Sequence, residues 1–154
     1  MAAITEQLQR KGVPFETLTH GKAFTSLDEA HSLGIAPDEV LKTLIVDTAA
    51  GHALIVLPAD RRVDMRLVEK AVDDKHAHLA TEEGLARDFP GIELGALPPI
   101  GSVLGAATFV DPEVMQREMV VFAAGSTTES VRIRTEDLFR GEAITVTPLA
   151  RATE

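Results

Sequence analysis

A single lysine interrupts the apolar stretch VLKTLIV at residues 40–46. If this stretch is a strand, Lys42 shares one face with Val40, Leu44 and Val46, because side chains alternate between the two faces. Burial of an unpaired ammonium is costly. The pattern therefore leaves two alternatives: the ammonium reaches water along its apolar stem, or it lines a pocket and binds a polar or anionic ligand.

Two glycine-containing segments could supply the other walls of such a pocket. Residues 91–101, GIELGALPPIG, combine three glycines with the stiff pair Pro98-Pro99, so the backbone could approach a ligand closely. Residues 123–130, AAGSTTES, follow an apolar run and could present amides and hydroxyls to an oxygen-rich ligand. Each segment could equally be a plain connection between elements.

The familiar signatures of nucleotide, metal and serine chemistry are absent from the sequence. It contains no GxxxxGK[ST], GxSxG or HExxH pattern. His76 and His78 lie two residues apart and could share a strand face, where two imidazoles could ligate a metal. No third ligand is evident, so an exposed pair is favoured, and we expect neither a metal nor a cofactor.

Composition limits the class of protein further. The 154 residues include 45% hydrophobic and 25% charged residues, which fits one globular domain. The absence of cysteine excludes disulfides and a cysteine nucleophile. No leader peptide or membrane-spanning run is evident, so we expect a cytoplasmic protein without a membrane partner.

The net charge of −9 argues against a long nucleic-acid groove, and the lack of Trp and Tyr argues against base stacking. Basic residues nevertheless cluster locally. The cluster is either a solvated helix face or a patch that steers a short nucleic-acid end, and its members of interest are Arg61, Arg62 and Arg66.

The hydrophobic pattern predicts alternating short helices and strands. Helices are expected over 5–11 and 27–33 (with a capping box from Ser26 to Glu29), and after Thr81 and Thr135. A further helix after Asp64 would carry the apolar stripe Leu67, Val68, Ala71 and Val72. Strands are expected over 13–19, in a hairpin joined by residues 49–51, briefly at 76–80, and in four later runs ending with 143–150. Because no strict βαβ rhythm is present, we predict an α+β fold with one curved, mixed, mostly antiparallel sheet flanked by short helices.

The order of these segments resembles the YbaK family, also called the prolyl-tRNA synthetase-associated or INS-like editing domains. The telling motifs are Lys42-Thr43-Leu44 on an early strand and a GxxxP loop at residues 95–99. The resemblance covers about residues 15–138, and it predicts a single YbaK-like domain over residues 1–154.

The resemblance implies an aminoacyl-tRNA deacylase that acts in trans on mischarged tRNA, with a small amino acid such as alanine as the first candidate. Its partner would be the acceptor end of tRNA, with a synthetase as a further candidate. The rival interpretation is a non-catalytic nucleotide-, aminoacyl- or tRNA-binding module of the same fold. The implied catalytic residue is Lys42, and the implied substrate-binding residues are Thr43, Gly95, Ala96, Leu97, Pro98, Pro99, Gly125 and Ser126.

Overall fold

The computed structural model describes residues 2–151, in which short helices alternate with strands. The helices are α1 (Ala2–Lys11), α2 (Ser26–Leu33), α3 (Met65–Val72), α4 (Glu82–Asp88), α5 (Gly101–Leu104), α6 (Pro112–Met115) and α7 (Thr135–Leu138). The strands are β1 (Phe15–Thr19), β2 (Leu41–Thr48), β3 (Gly51–Pro58), β4 (His78–Leu79), β5 (Ala107–Val110), β6 (Met119–Ser126), β7 (Glu129–Arg134) and β8 (Ile144–Val146). A 3-10 turn spans Pro37–Glu39.

The strands form two sheets. One has the order β1-β7-β6 and is antiparallel throughout. The other has the order β4-β2-β3-β5-β8, with antiparallel pairs around β2 and parallel pairs on either side of β5. The predicted α+β class and mostly antiparallel pairing are confirmed, but the prediction of one sheet is wrong.

The main core lies between the two sheets. Leu54 and Val56 of β3 pack in the same cluster as Phe122 of β6 and Ile133 of β7. The opposite face of β3 contributes Ile55 and Leu57 to a second cluster, together with residues of α3 and of the C-terminal segment. Strand β3 is therefore buried on both faces, as its unbroken apolar run predicts.

Helix capping in the structure partly differs from the prediction. Asp64 and Thr81 cap α3 and α4 as expected. Helix α2, however, is capped by Thr25, whose hydroxyl accepts a hydrogen bond from the Asp28 amide, so the capping box from Ser26 to Glu29 is wrong. Thr135 is likewise no cap, because its hydroxyl donates to the carbonyl of Arg117 while it occupies the first position of α7.

Some boundaries also differ. The last strand covers 144–146 and not the whole of 143–150, and the short helices α5 and α6 lie where no helix was predicted. Four-residue helices carry too little periodicity to be read from a sequence. Among residues 2–151, no helix combines the length and the apolar character needed to cross a membrane.

Candidate functional site

A cavity of about 190 Å³ opens between the two sheets' edges and the start of α2. Its lining comes from four places in the chain. These are the start of α2 with the residue pair before it, the first half of β2, the loop before α5, and β6; the lining residues are Phe24, Thr25, Ser26, Glu29, Leu41, Lys42, Thr43, Leu44, Gly95, Leu97 and Ala123. The cavity thus joins the lysine strand to residues of both predicted glycine segments, Gly95 and Leu97 of the first and Ala123 of the second.

The first half of β2 borders this cavity along an edge that is open only between a bridge from Val40 to Val121 of β6 and the short pairing with β4. Strand β4 pairs only with Val46 and Asp47 of β2, and the carbonyl of Ile45 accepts a hydrogen bond from Ala80 on that same side. Backbone groups two residues apart point the same way in a strand, so the amide and carbonyl of Thr43 face the side that β4 leaves open. A ligand in the cavity would meet these backbone groups.

Thr43 adds an unsatisfied side-chain atom to the same wall. Its Oγ1 is buried and has no hydrogen-bond partner among the described residues. Buried hydroxyls are normally satisfied by protein or water. The hydroxyl oxygen is itself covered, so it is an unmet hydrogen-bonding group next to the cavity and not an exposed contact point.

Lys42 is half-buried and is one of the residues that line the cavity. Its ammonium donates to the carbonyl of Arg61, which leaves two of its three N–H donors for other partners. Desolvation lowers the pKa of Lys42, the nearby charge of Asp60 opposes this shift, and the charge of Arg62 adds to it. A partly desolvated ammonium interacts more strongly with an anionic group than one in bulk water does.

Gly95 is required at its position by packing. Its φ is +83°, and a Cβ placed there would lie 2.1 Å from the carbonyl oxygen of Phe24. Any side chain would therefore push the loop away from the segment that leads into α2. Because Phe24, Gly95 and Leu97 all line the cavity, this close approach sets its width.

The loop and the predicted glycine turn lie side by side. The amide of Gly125 donates to the carbonyl of Ala96 at 3.0 Å, and the amide of Glu93 donates to the carbonyl of Gly125 at 3.0 Å. Gly125, with φ +87°, lies within β6 and not in a turn, because β6 continues to Ser126. The Ser126 hydroxyl accepts from the Thr128 amide at 3.2 Å, and so stabilises the hairpin.

Of the residues that the resemblance implied, four line the cavity: Lys42, Thr43, Gly95 and Leu97. The other five do not line it. Ala96, Pro98 and Pro99 are buried in the loop, and Gly125 and Ser126 belong to β6, where the Gly125 amide bonds the Ala96 carbonyl.

Of the three arginines in the basic cluster, one is hydrogen-bonded to other residues and two are exposed. The guanidinium of Arg61 pairs with Glu113 and donates to the carbonyl of Arg151, so it serves the structure. Arg62 and Arg66 are exposed. Only these two retain the freedom that a contact with a flexible nucleic-acid end requires.

The histidine pair does not form a common strand face. His78 begins β4, whereas His76 precedes it, and the amide of His76 donates to Asp74 at 2.8 Å. Within residues 2–151, no group of three or more histidine, aspartate or glutamate side chains could hold a metal ion.

Glu29 is a member of the cavity wall that sequence reasoning assigned only to helix capping. It is 3% exposed, and its Oε2 accepts a hydrogen bond from the hydroxyl of Ser130. Burial raises its pKa to about 7, and the hydrogen bond from Ser130 partly opposes this shift. The only signal in the sequence was its position on the apolar side of a short helix.

Solved structures with this architecture include a hypothetical protein, with a TM-score of 0.86, 21% identity and coverage of 96% of this chain and 99% of that one. Another is a candidate trans-editing enzyme for prolyl tRNA synthetase, with a TM-score of 0.81, 19% identity and coverage of 97% and 94%. At these identities the likeness establishes the fold alone, an α+β domain with mostly antiparallel sheets and short helices.

The sequence model of the aminoacyl-tRNA editing domain matches residues 20–140, and the chain belongs to that family. The expected family resemblance is thereby confirmed. Curated relatives are proline–tRNA ligases: that of Fervidobacterium nodosum is 30% identical over 77 residues, and that of a Thermotoga species is 24% identical over 95. These matches span 50% and 62% of this chain but only 13% and 16% of the ligases.

Proposed function

We propose that the protein hydrolyses the ester that joins a wrong amino acid to the terminal ribose of a tRNA. The observation that carries this proposal is the cavity lined by Lys42 and Thr43 beside the open edge of β2. The Lys42 ammonium is partly desolvated, and the Thr43 hydroxyl has no partner among the described residues. Family membership supports the class of substrate.

The proposed reaction needs no strong nucleophile, because an aminoacyl ester is already activated. Water attacks the carbonyl carbon, the bond to the ribose oxygen breaks, and that oxygen receives a proton. The Lys42 ammonium would stabilise the negative charge that develops on the ester or on the neighbouring phosphate. The backbone groups of Thr43 would fix the orientation of the aminoacyl group along the open edge of β2.

Cavity size favours a small aminoacyl group. A volume of about 190 Å³ is close to the ~150 Å³ of an engineered cavity that holds benzene. This is room for an ester with a short side chain, while the nucleotide itself would lie outside. Alanine is therefore our first candidate, and proline tRNA is the first carrier to test because the curated relatives are proline–tRNA ligases.

The remaining assignments follow from this function. Arg62 and Arg66 would contact the acceptor end, whereas Arg61 would keep its structural role. A partner synthetase is compatible with the relationship to proline–tRNA ligases, and translation implies the cytoplasm. The whole chain, residues 1–154, would act as one editing domain.

The test is a panel of tRNAs, each esterified with a wrong amino acid, incubated with the protein at one-hundredth of their concentration. We expect the amino acid to be released from alanine esterified to proline tRNA over many cycles. Protection of the ester in proportion to the amount of protein would instead support the binding module, and no release from any substrate would refute the deacylase.

A further inference from the structure

A chain of three polar side chains leads from the cavity to the end of β1. Ser130 lies between the cavity-lining Glu29 and His20, with its Oγ 2.8 Å from His20 Nε2. The other ring nitrogen, Nδ1, lies 2.7 Å from the carbonyl oxygen of Gly21. Glu29 and Ser130 are buried, His20 is half-buried, and Gly21 is exposed, so the chain connects the interior with the surface.

The number of hydrogens in this chain is fixed by its geometry. A carbonyl oxygen only accepts, so Nδ1 of His20 carries a hydrogen. The two bonds through Ser130 need two hydrogens, of which the serine hydroxyl supplies one. The second belongs either to the carboxyl of Glu29 or to Nε2 of His20, and transfer between these arrangements requires no movement of heavy atoms.

We propose that Glu29, Ser130 and His20 form a proton relay in which Glu29 exchanges a proton with the reacting water in the cavity. This inference rests on the proposed ester hydrolysis. Glu29 as a carboxylate takes one proton from the attacking water and returns it to the ribose oxygen as the ester bond breaks. The amino acid leaves as a carboxylate, and the proton that it releases passes to Glu29 and through Ser130 to Nε2 of His20. The imidazolium so formed gives one proton to solvent and returns to the neutral form with its hydrogen on Nδ1.

The surroundings of Glu29 suit this role. Its pKa of about 7 makes both protonation states accessible near neutral pH, where an acid–base group is most effective. Strand β6, which packs on α2, carries no charged residue. Charged groups occur on the other neighbouring elements, namely Asp28 and His31 on α2, Lys42 across the cavity, Asp38 and Glu39 on the 3-10 turn, and Glu129 beside Ser130. Burial is nevertheless the largest cause of the shift.

The first arm of the test measures hydrolysis of alanine esterified to proline tRNA across pH 5 to 9. We expect the wild-type rate to rise with pH and to level off above the pKa of Glu29, which is about 7. Glu29→Gln should lower kcat by at least about a hundredfold with little change in KM. Ser130→Ala should lower kcat and move the midpoint of the pH profile upward. The hydrogen bond from Ser130 lowers the pKa of Glu29 in the wild type, so the pKa rises when this bond is removed.

The matched control is Ser102→Ala, which removes another serine that donates to a glutamate, here Glu142 at 2.8 Å. It should leave both the rate and the midpoint unchanged. An unchanged midpoint in Ser130→Ala, or a Glu29→Gln variant with wild-type kcat, would overturn the relay.

The second arm needs no substrate and keeps the relay separate from the proposed function. The ring ¹⁵N signals of His20 should respond to pH differently in the wild type and in folded Glu29→Gln, because the relay couples the two groups. Identical responses would overturn the relay even if hydrolysis is observed. If the responses differ but the tRNA panel shows no hydrolysis, the coupling stands and the deacylase proposal fails.

Discussion

The two ends of strand β2 present similar polar residues in opposite situations. At the end near Asp47, polar groups are mutually satisfied: His52 bonds Asp47 at 2.7 Å and Asp88 at 3.1 Å, and β4 covers the edge. At the end near Lys42, the edge is open and the Thr43 hydroxyl has no partner among the described residues. Unmet hydrogen-bonding capacity, and not the presence of polar residues, therefore distinguishes the candidate site.

The pKa values of two carboxylates near these ends shift in opposite directions. A hydrogen bond from Arg87 is the first cause that holds the pKa of Asp88 below its ordinary value. Burial is the first cause that raises the pKa of Glu29. Solvation and pairing stabilise the charged form at one end, and desolvation prepares a group for proton exchange at the other.

The largest expected effect is the loss of hydrolysis in Lys42→Ala. Removal of a charged donor that stabilises developing negative charge should lower kcat by about a hundredfold to a thousandfold. Rates on alanine esterified to proline tRNA would be compared with those of Lys70→Ala, which removes an exposed lysine of α3. Similar rates in the two variants would contradict the importance of the open end of β2.

A second effect is the pH dependence of stability contributed by Glu29. Its pKa rises from 4.5 to about 7 on folding, so the folded state binds the proton more tightly. The stabilisation is complete below pH 4.5 and is lost as the pH rises through 7, with an upper size of roughly 3 kcal/mol.

Urea unfolding of the wild type and Glu29→Gln at pH 5 and pH 8 measures this contribution. The wild type should lose more stability than the variant between these two values. Equal losses would mean that burial does not perturb Glu29, and the contrast between the two carboxylates would disappear.

The third effect is a local distortion in Gly95→Ala. The added Cβ collides with the Phe24 carbonyl, and the residue has a positive φ. We therefore expect the free energy of unfolding to fall by about 1–3 kcal/mol and the KM to rise. Gly141→Ala is the control, because Gly141 also has a positive φ but no heavy atom lies within 4 Å of its Cβ position. If both variants lose the same stability and retain the same KM, the close approach does not shape the cavity.

The smallest effect is expected at the covered end of β2. His52→Ala removes partly exposed hydrogen bonds to Asp47 and Asp88, which contribute little to stability. Hydrolysis should be unchanged, with only a small drop in melting temperature. A large loss of hydrolysis would show that this end belongs to the site.

The sequence predicted those features that depend on local pattern. Alternation and apolar runs located β2, β3 and β7, and Asp64 and Thr81 identified two helix starts. The family motifs led to Lys42 and Gly95, which the structure places in one cavity. The division into two sheets depended on long-range pairing, which strand patterns do not encode.

The three relay residues are the part of the candidate site that the sequence did not predict. Glu29 and Ser130 are 101 positions apart, and His20 is 110 positions from Ser130. Nothing local marks their meeting, and the carboxylate resembled an ordinary residue of a helix start. Burial raises the pKa of Glu29, and the burial of a single polar side chain is a property of the tertiary structure.

The most direct test of the central claim is a crystal structure with a stable analogue in which alanine is joined by an amide to the 3′ position of adenosine. We predict that the alanyl group occupies the cavity, bonded to the backbone of Thr43 and within reach of Lys42 and Glu29. An analogue bound at the covered end of β2, beside Asp47 and His52, would contradict the account.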